Sequence, residues 1–300
     1  MRAPFPKHED LVGLIQLAKR EDMNDDDVTS RLLIAPQTRG EAVVVQKQAG
    51  VICGLPIVEM VCRAYDGGLK VEGIDGVAIA DMEGRYTDVP NRLPLVKLIG
   101  PMRSLLSAER VLLNFIQRLS GVATQTHRYV TAIAGTGARI YDTRKTTPGF
   151  RLLEKYAVRC GGGENHRIGL YDGLLVKDNH IAAIAPARLA AELANIVVRS
   201  RDEAPTRFIQ IEVDTLEQLG EVLKVDRIDS ILLDNMDCST MRQAVAMRNA
   251  AGRGGAVALE ASGGVNLESV RAIAETGVER ISVGALTHSA VALDIGLDVL

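Results

Sequence analysis

Phe208-Ile209-Gln210-Ile211-Glu212-Val213, followed by Leu216-Glu217-Gln218-Leu219-Gly220-Glu221-Val222-Leu223, reads as a strand and then a helix. The first run is short and rich in β-branched residues; the second carries its apolar residues at helical spacing. The same unit recurs on both sides of it. Arg139–Tyr141 precedes a helix over Phe150–Cys160, and Leu174–Val176 precedes one over Pro186–Val198. Ile231–Leu233 precedes Thr240–Ala250, Val257–Ala261 precedes Leu267–Glu275, and Arg280–Val283 is the last strand. Strands alternating with helices imply a parallel sheet, and this many units imply a closed or nearly closed α/β barrel. An open, doubly wound sheet is the second reading.

The N-terminal third has a different rhythm. Helices are expected over His8–Arg20 and Leu55–Tyr65, and strands over Ala42–Gln46, Leu69–Glu72 and Leu95–Ile99. This segregation suggests an α+β layer. Two helical stretches follow, Ser104–Leu119 and Ala123–Ala134.

The strand ends carry the chemistry. Arg144 and Lys145 follow the first strand of the repeat, Lys177 the second, and Glu212 and Asp234 close the next two. Ser262-Gly263-Gly264 follows the fifth, and Gly284 with His288 the last. In an α/β barrel the C-terminal rim is where ligands bind. Arg144, Arg167 and Lys177 there offer contacts to carboxylate or phosphate, with His166 as a further anion ligand. Ion pairs with Asp142, Glu154 or Asp172 are the bland alternative. Glu212 and Asp234 suit magnesium or sugar hydroxyls, unless they only bond loop amides. Ser262-Gly263-Gly264, before a helix, suits a phosphate, with Gly284 as a second loop; a tight turn is the alternative. His127 reads as a satisfied core or interface histidine, His8 as a surface residue and His180 as a loop closure. Gly161-Gly162-Gly163 reads as a helix stop or as part of the site's shape.

Composition narrows the partner. The chain has 300 residues, 47% hydrophobic and 24% charged, with a net charge of −3. A mildly acidic protein does not offer nucleic acid or an acidic membrane the basic surface they require, so a local basic cluster points to a small anion. No apolar run approaches membrane-spanning length, and Met1–Pro6 has no signal-peptide apolar region. The four cysteines are scattered without Cys-x-x-Cys spacing, which suggests reduced thiols in a cytoplasmic setting rather than a zinc site.

Several ordered motifs resemble the quinolinate phosphoribosyltransferase family over nearly the whole chain. They are Glu109-Arg110 with Asn114-Phe115, Leu119–Thr124, Asp142–Gly149, Gly161–Leu170, Val176–His180, Glu212-Val213, Leu233–Asn235, Glu260–Gly264 and Ser282–Ser289. The resemblance implies an α/β sandwich over 1–115, rejoined by 290–300, and an incomplete, seven-stranded α/β barrel over 116–289. It implies transfer of phosphoribosyl from phosphoribosyl pyrophosphate (PRPP) to quinolinate, with magnesium, giving nicotinate mononucleotide, carbon dioxide and pyrophosphate. Quinolinate would meet Arg144, His166, Arg167, Lys177 and, from the other subunit of a homodimer, Arg110. The PRPP phosphates would meet Lys145, Ser262, Gly263, Gly264, Gly284 and His288, while Glu212 and Asp234 serve the ribose and the metal. One position departs from the family pattern: Asp26 stands where a glycine is usual. Two other readings of the same residues are a Schiff-base lyase using Lys145 or Lys177, and a paralogue that binds an anion without catalysis.

Overall fold

The structure is a computed structural model describing residues 4–6, 9–75, 77–88, 92–181, 183–185, 188–203 and 208–300. His8, Pro186 and Ala187 lie outside the described residues. The chain forms two compact units: Met1–His127 with Thr147–Gly162 and Ser289–Leu300, and Arg128–Thr146 with Gly163–His288.

In the first unit, β1 (Arg39–Gln46), β2 (Gly50–Val51), β3 (Lys70–Gly73), β4 (Tyr86–Thr87) and β5 (Leu93–Pro101) are joined by a C-terminal strand, Ile295–Val299. The main sheet runs C-terminal strand, β1, β5, β3, all antiparallel; β2 and β4 form a separate pair. The helix Leu55–Tyr65 buries Leu55, Ile57, Val58, Val61 and Cys62. Burying each such aliphatic side chain contributes about 1.5–3 kcal/mol. Its first turn is capped by Glu83, whose carboxylate accepts the N–H groups of Gly54 at 2.6 Å and Leu55 at 3.0 Å. The two helices expected after residue 102 are one continuous helix, Met102–Ala132. Gly121 does not break it: a Cβ there would lie 2.1 Å from the Val291 carbonyl oxygen, so this glycine serves close packing. The boundary expected at residue 115 therefore falls inside a helix, and the helix Arg151–Cys160 clusters with the first unit. Asp26 does not adopt left-handed backbone; Asn24 does, at φ 49°, and Asp27 caps the following helix by accepting the Ser30 N–H.

The second unit is the repeat. β6 (Arg139–Tyr141), β7 (Leu174–Val176), β8 (Ile209–Val213), β9 (Ser230–Asp234), β10 (Ala258–Ser262) and β11 (Arg280–Ser282) form one sheet in the order β6-β11-β10-β9-β8-β7. Every pairing is parallel. Where a seventh strand would pair with β6 there is a single parallel bridge, Tyr141 to Glu164; Gly162, two residues before it, is left-handed at φ 89°, which is not extended backbone. The sheet curls: the Arg280 guanidinium of β11 lies 3.6 Å from the ring centroid of Tyr141 and 5.0 Å from that of Phe208, beside β8. Local signals set the helices between strands. Thr215 and Gln218 form a capping box for Leu216–Val222, and Asp237 caps Cys238–Ala250. The Asn266 side chain accepts the N–H groups of Glu268 and Ser269, which holds a turn and delays the next helix to Val270–Ala274.

Candidate active site

Alternation along parallel strands builds the site. Residues two apart share a face, so Leu232 and Asp234 of β9, and Glu260 and Ser262 of β10, point to one side of the sheet. The register sets Glu212 beside Leu232 and Leu232 beside Glu260, and one rung higher Asp234 beside Ser262. All of these line one cavity of about 510 Å³, together with Thr143, Arg144, Lys145, His166, Arg167, Leu175, Lys177, Asn235, Gly263, Gly264 and Ser282. That volume suits a small-molecule site.

The cationic wall is Arg144 and Arg167. Burial pushes the Arg167 guanidinium below its ordinary pKa, and Arg144 nearby pushes it further, against the pull of Asp172. Two guanidinium groups held close enough to disfavour each other are relieved by an anion between them. The expected competitors are engaged by other groups as well, although Asp172 still acts on Arg167. Asp142 accepts from the Asn165 amide at 2.6 Å and the His166 N–H at 2.8 Å. Asp172 caps the N–H groups of Ile168 and Gly169, and Glu154, in the other unit, binds Arg118 and Thr147. Lys177 is the exception, donating to Glu212 at 3.2 Å.

The acidic wall is Glu212 and Asp234. Burial raises the Glu212 pKa, and the charges of Asp234 and Asp178 raise it further, while Lys177 opposes both. Asp214 is raised by burial and by the same two neighbours, Asp178 and Asp234. Carboxylates crowded in this way favour a hard cation among them.

The third wall is backbone. Asn235, Gly263 and Gly264 take φ values of 54°, 94° and 61°. At Gly263 a Cβ would sit 2.0 Å from Asn235 Oδ1 and 3.0 Å from the Asn235 backbone nitrogen, at a φ that favours glycine, so a substitution there is strained. Gly284 and His288 are not among the cavity's lining residues; they flank Lys145. A Cβ on Gly284 would lie 3.1 Å from Lys145 Cδ and 3.1 Å from His288 Nε2, and the Thr287 hydroxyl donates to the Lys145 carbonyl at 2.7 Å. Arg110 belongs to the other unit, where it is exposed and forms a 3.8 Å ion pair with Glu109.

His166 turns inward. Its Nδ1 accepts the Arg167 N–H at 2.8 Å, and its Nε2 faces Gln210 Oε1 at 2.8 Å and Glu260 Oε1 at 3.6 Å. Glu260 is fully buried and takes Arg280 Nε at 2.5 Å, Gln210 Nε2 at 3.0 Å and the Ser282 hydroxyl. Sequence reasoning passed over Gln210, Glu260, Arg280 and Ser282; stepping back two residues from Glu212 and from Ser262 would have found the first two. His180 closes its loop by accepting the Lys177 N–H at 2.8 Å, and His127 stacks on Tyr86 at 5.0 Å. Gly161 ends its helix against the Ala123 carbonyl, with Gly162 left-handed at φ 89°.

Folding also gathers donors that spacing did not reveal. Cys53, Glu83 and Cys160, in the first unit, lie within 4.8 Å of one another. Glu83 already accepts two helix N–H groups and the Tyr156 hydroxyl, so this cluster is accounted for as a helix cap. Among the described residues, no helix is long and apolar enough to cross a membrane.

Comparison with known proteins places this geometry. Residues 27–120 match the family model for the quinolinate phosphoribosyl transferase N-terminal domain, and residues 122–298 that for its C-terminal domain. The chain is 40% identical over 286 residues to nicotinate-nucleotide pyrophosphorylase [carboxylating] of Mycobacterium leprae, covering 95% of each. It is 39% identical to the probable enzyme of that name from Bacillus subtilis, covering 97% of this chain and 94% of that one. The crystal structure of NadC from Streptococcus pyogenes superposes with a TM-score of 0.86 at 32% identity, over 99% of this chain and 100% of that one.

Proposed function

This chain belongs to the quinolinate phosphoribosyltransferase family, and from that premise we propose how its rim transfers phosphoribosyl from PRPP to quinolinate, yielding nicotinate mononucleotide, carbon dioxide and pyrophosphate. The observation that carries the assignment is the division of one cavity into a cationic wall, an acidic wall and a left-handed backbone turn.

Arg144 and Arg167 hold the two adjacent carboxylates of quinolinate, with Lys177 between them and the acidic wall. The planar guanidinium groups suit two-point recognition. His166 serves the same end through the Arg167 backbone rather than by offering a free ring nitrogen. The ring nitrogen of quinolinate attacks the anomeric carbon as pyrophosphate departs. Glu212 and Asp234 stabilise the positive charge that develops on the ribosyl group and accept its hydroxyls. Positioning and preorganised charge suffice, so no covalent nucleophile is required. Lys145, flanked by Gly284 and His288, balances departing pyrophosphate, and Ser262, Gly263 and Gly264 receive the 5-phosphate. The N-alkylated ring then withdraws electrons, which favours loss of the 2-carboxylate as carbon dioxide.

Magnesium fits the residues present. The donors are hard carboxylate oxygens, and magnesium is commonly held by one or two carboxylates with phosphates and water. Glu212 and Asp234 would hold it, and it would neutralise pyrophosphate charge.

The active assembly in this reading is a homodimer, with Arg110 entering the neighbour's site. Its side chain is exposed and, among the described residues, held only by a 3.8 Å surface ion pair with Glu109, so the guanidinium is accessible to a partner, which supports this role. Pyrophosphate release with quinolinate and PRPP tests the function; borohydride trapping through Lys145 or Lys177 without such release would favour the Schiff-base reading.

A further inference from the structure

The inward histidine raises a question of direction. A neutral imidazole has one donor and one acceptor nitrogen, and its partners choose which is which. Here Nδ1 accepts the Arg167 N–H, so the ring proton lies on Nε2. That nitrogen faces an amide oxygen, Gln210 Oε1, at 2.8 Å. The Gln210 amide is oriented in turn: its NH₂ group reaches Glu260 Oε2 at 3.0 Å and Ser230 Oγ at 3.1 Å.

Glu260 starts the sequence. Burial opposes its ionisation, but the Arg280 guanidinium and the Ser282 hydroxyl both donate to it and favour the carboxylate, and its carboxyl sits below the usual range. An ionised carboxylate only accepts, so it takes the NH₂ side of Gln210 and leaves the amide oxygen for His166. Every bond in the chain from Arg280 to Arg167 then has a fixed polarity. Asp142 clamps the same segment, binding the Asn165 side chain and the His166 N–H.

We propose that Gln210 and Glu260 are positioning residues for quinolinate recognition: they lock His166 in the tautomer whose Nδ1 holds the Arg167 backbone, and so fix the guanidinium that meets the substrate carboxylate. Neither residue touches substrate in this account. The proposal rests on the quinolinate reading for its ligand, while the lock itself is a property of the free protein.

The test combines ¹⁵N NMR of histidine-labelled full-length protein with calorimetric binding of quinolinate and steady-state KM for PRPP. A His166→Gln sample serves only to assign the signal among the five histidines. The wild type should show His166 protonated at Nε2 alone. Glu260→Gln, nearly isosteric, lets Gln210 turn over and should give mixed tautomers. Gln210→Leu removes the partner of Nε2 and should do the same. In both, quinolinate affinity should fall about ten- to a hundredfold, the scale of one weakened charge-assisted contact, with the KM for PRPP within about threefold of wild type. Ser230→Ala leaves the polarity intact and should leave both readings unchanged. If Gln210→Leu does not fold, Glu260→Gln and Ser230→Ala still decide. A wild-type His166 protonated at Nδ1 overturns the lock. Mixed tautomers with undiminished quinolinate affinity, or equal losses for both substrates, overturn the positioning role. A wild type that ignores quinolinate overturns the functional reading instead, and the ligand-free spectrum still judges the lock.

Discussion

Replacing Arg144 with alanine separates a substrate contact from a structural one. Arg144 is exposed, and it lowers the Arg167 pKa by repulsion. Removing it therefore takes nothing from the core and relieves a like-charge contact. Exposed substitutions of this kind change stability by roughly 0.5 kcal/mol or less, and relief of repulsion biases the sign toward stabilisation. Catalysis should respond differently. A hydrogen bond to a charged partner is worth about 1.5–3 kcal/mol, and a two-point guanidinium–carboxylate contact about twice that. At 1.4 kcal/mol per tenfold, kcat/KM for quinolinate should fall by roughly 10² to 10⁴. The assays are urea unfolding and initial rates of pyrophosphate release under saturating PRPP. A kcat/KM within fivefold of wild type would refute the reasoning. So would a loss of stability above about 1 kcal/mol, since it would make Arg144 a structural ion-pair partner.

Three other experiments probe the backbone turn, the buried carboxylate and the assembly. Gly263→Ala meets Asn235 Oδ1 at 2.0 Å in left-handed backbone, whereas Gly264→Ala, at φ 61°, meets nothing within 4 Å; the first should lose about 2–4 kcal/mol and the second about 1 kcal/mol, and equal losses by thermal unfolding would contradict the close approach. Glu260 has a folded-state pKa below its unfolded value near 4.5, so its stabilisation is complete above that value and is lost as pH falls through the folded pKa. Glu260→Gln should accordingly flatten the acid side of the stability–pH curve, and an unchanged slope would count against an ionised Glu260. Arg110→Ala and Arg144→Ala should each be nearly inactive, yet proven subunit exchange between them should restore about a quarter of wild-type activity, because about half the dimers are mixed and each has one intact site; exchange without recovery would confine Arg110 to its own subunit.

The repeat was legible because each strand is a short apolar run and each helix has a local start signal, as at Thr215 and Asp237. The charged rim followed from position alone, and Arg144, Lys145, Arg167, Lys177, Glu212 and Asp234 do meet in one cavity. What sequence hid was decided by tertiary contact. Gly121 resembles a helix break until Val291 is seen against it. His166 resembles a free anion ligand until Gln210 and Arg167 claim both ring nitrogens. Gln210 and Glu260 sit within apolar strands, where only the two-residue alternation sets them on the cavity side. The helix at Val270 starts late because Asn266 satisfies the preceding amides.

The central claim is that paired cations recognise two adjacent carboxylates while a ribosyl group is transferred beside them. The direct measurement is pyrophosphate release from PRPP with quinolinate and with nicotinate, which lacks the 2-carboxylate. Sites built around a polar group reject analogues lacking it by roughly 10⁴ or more. The account predicts quinolinate-dependent release with a kcat/KM ratio of about that size, accompanied by equimolar carbon dioxide. Comparable kcat/KM for the two acids, or no release with quinolinate, would contradict it.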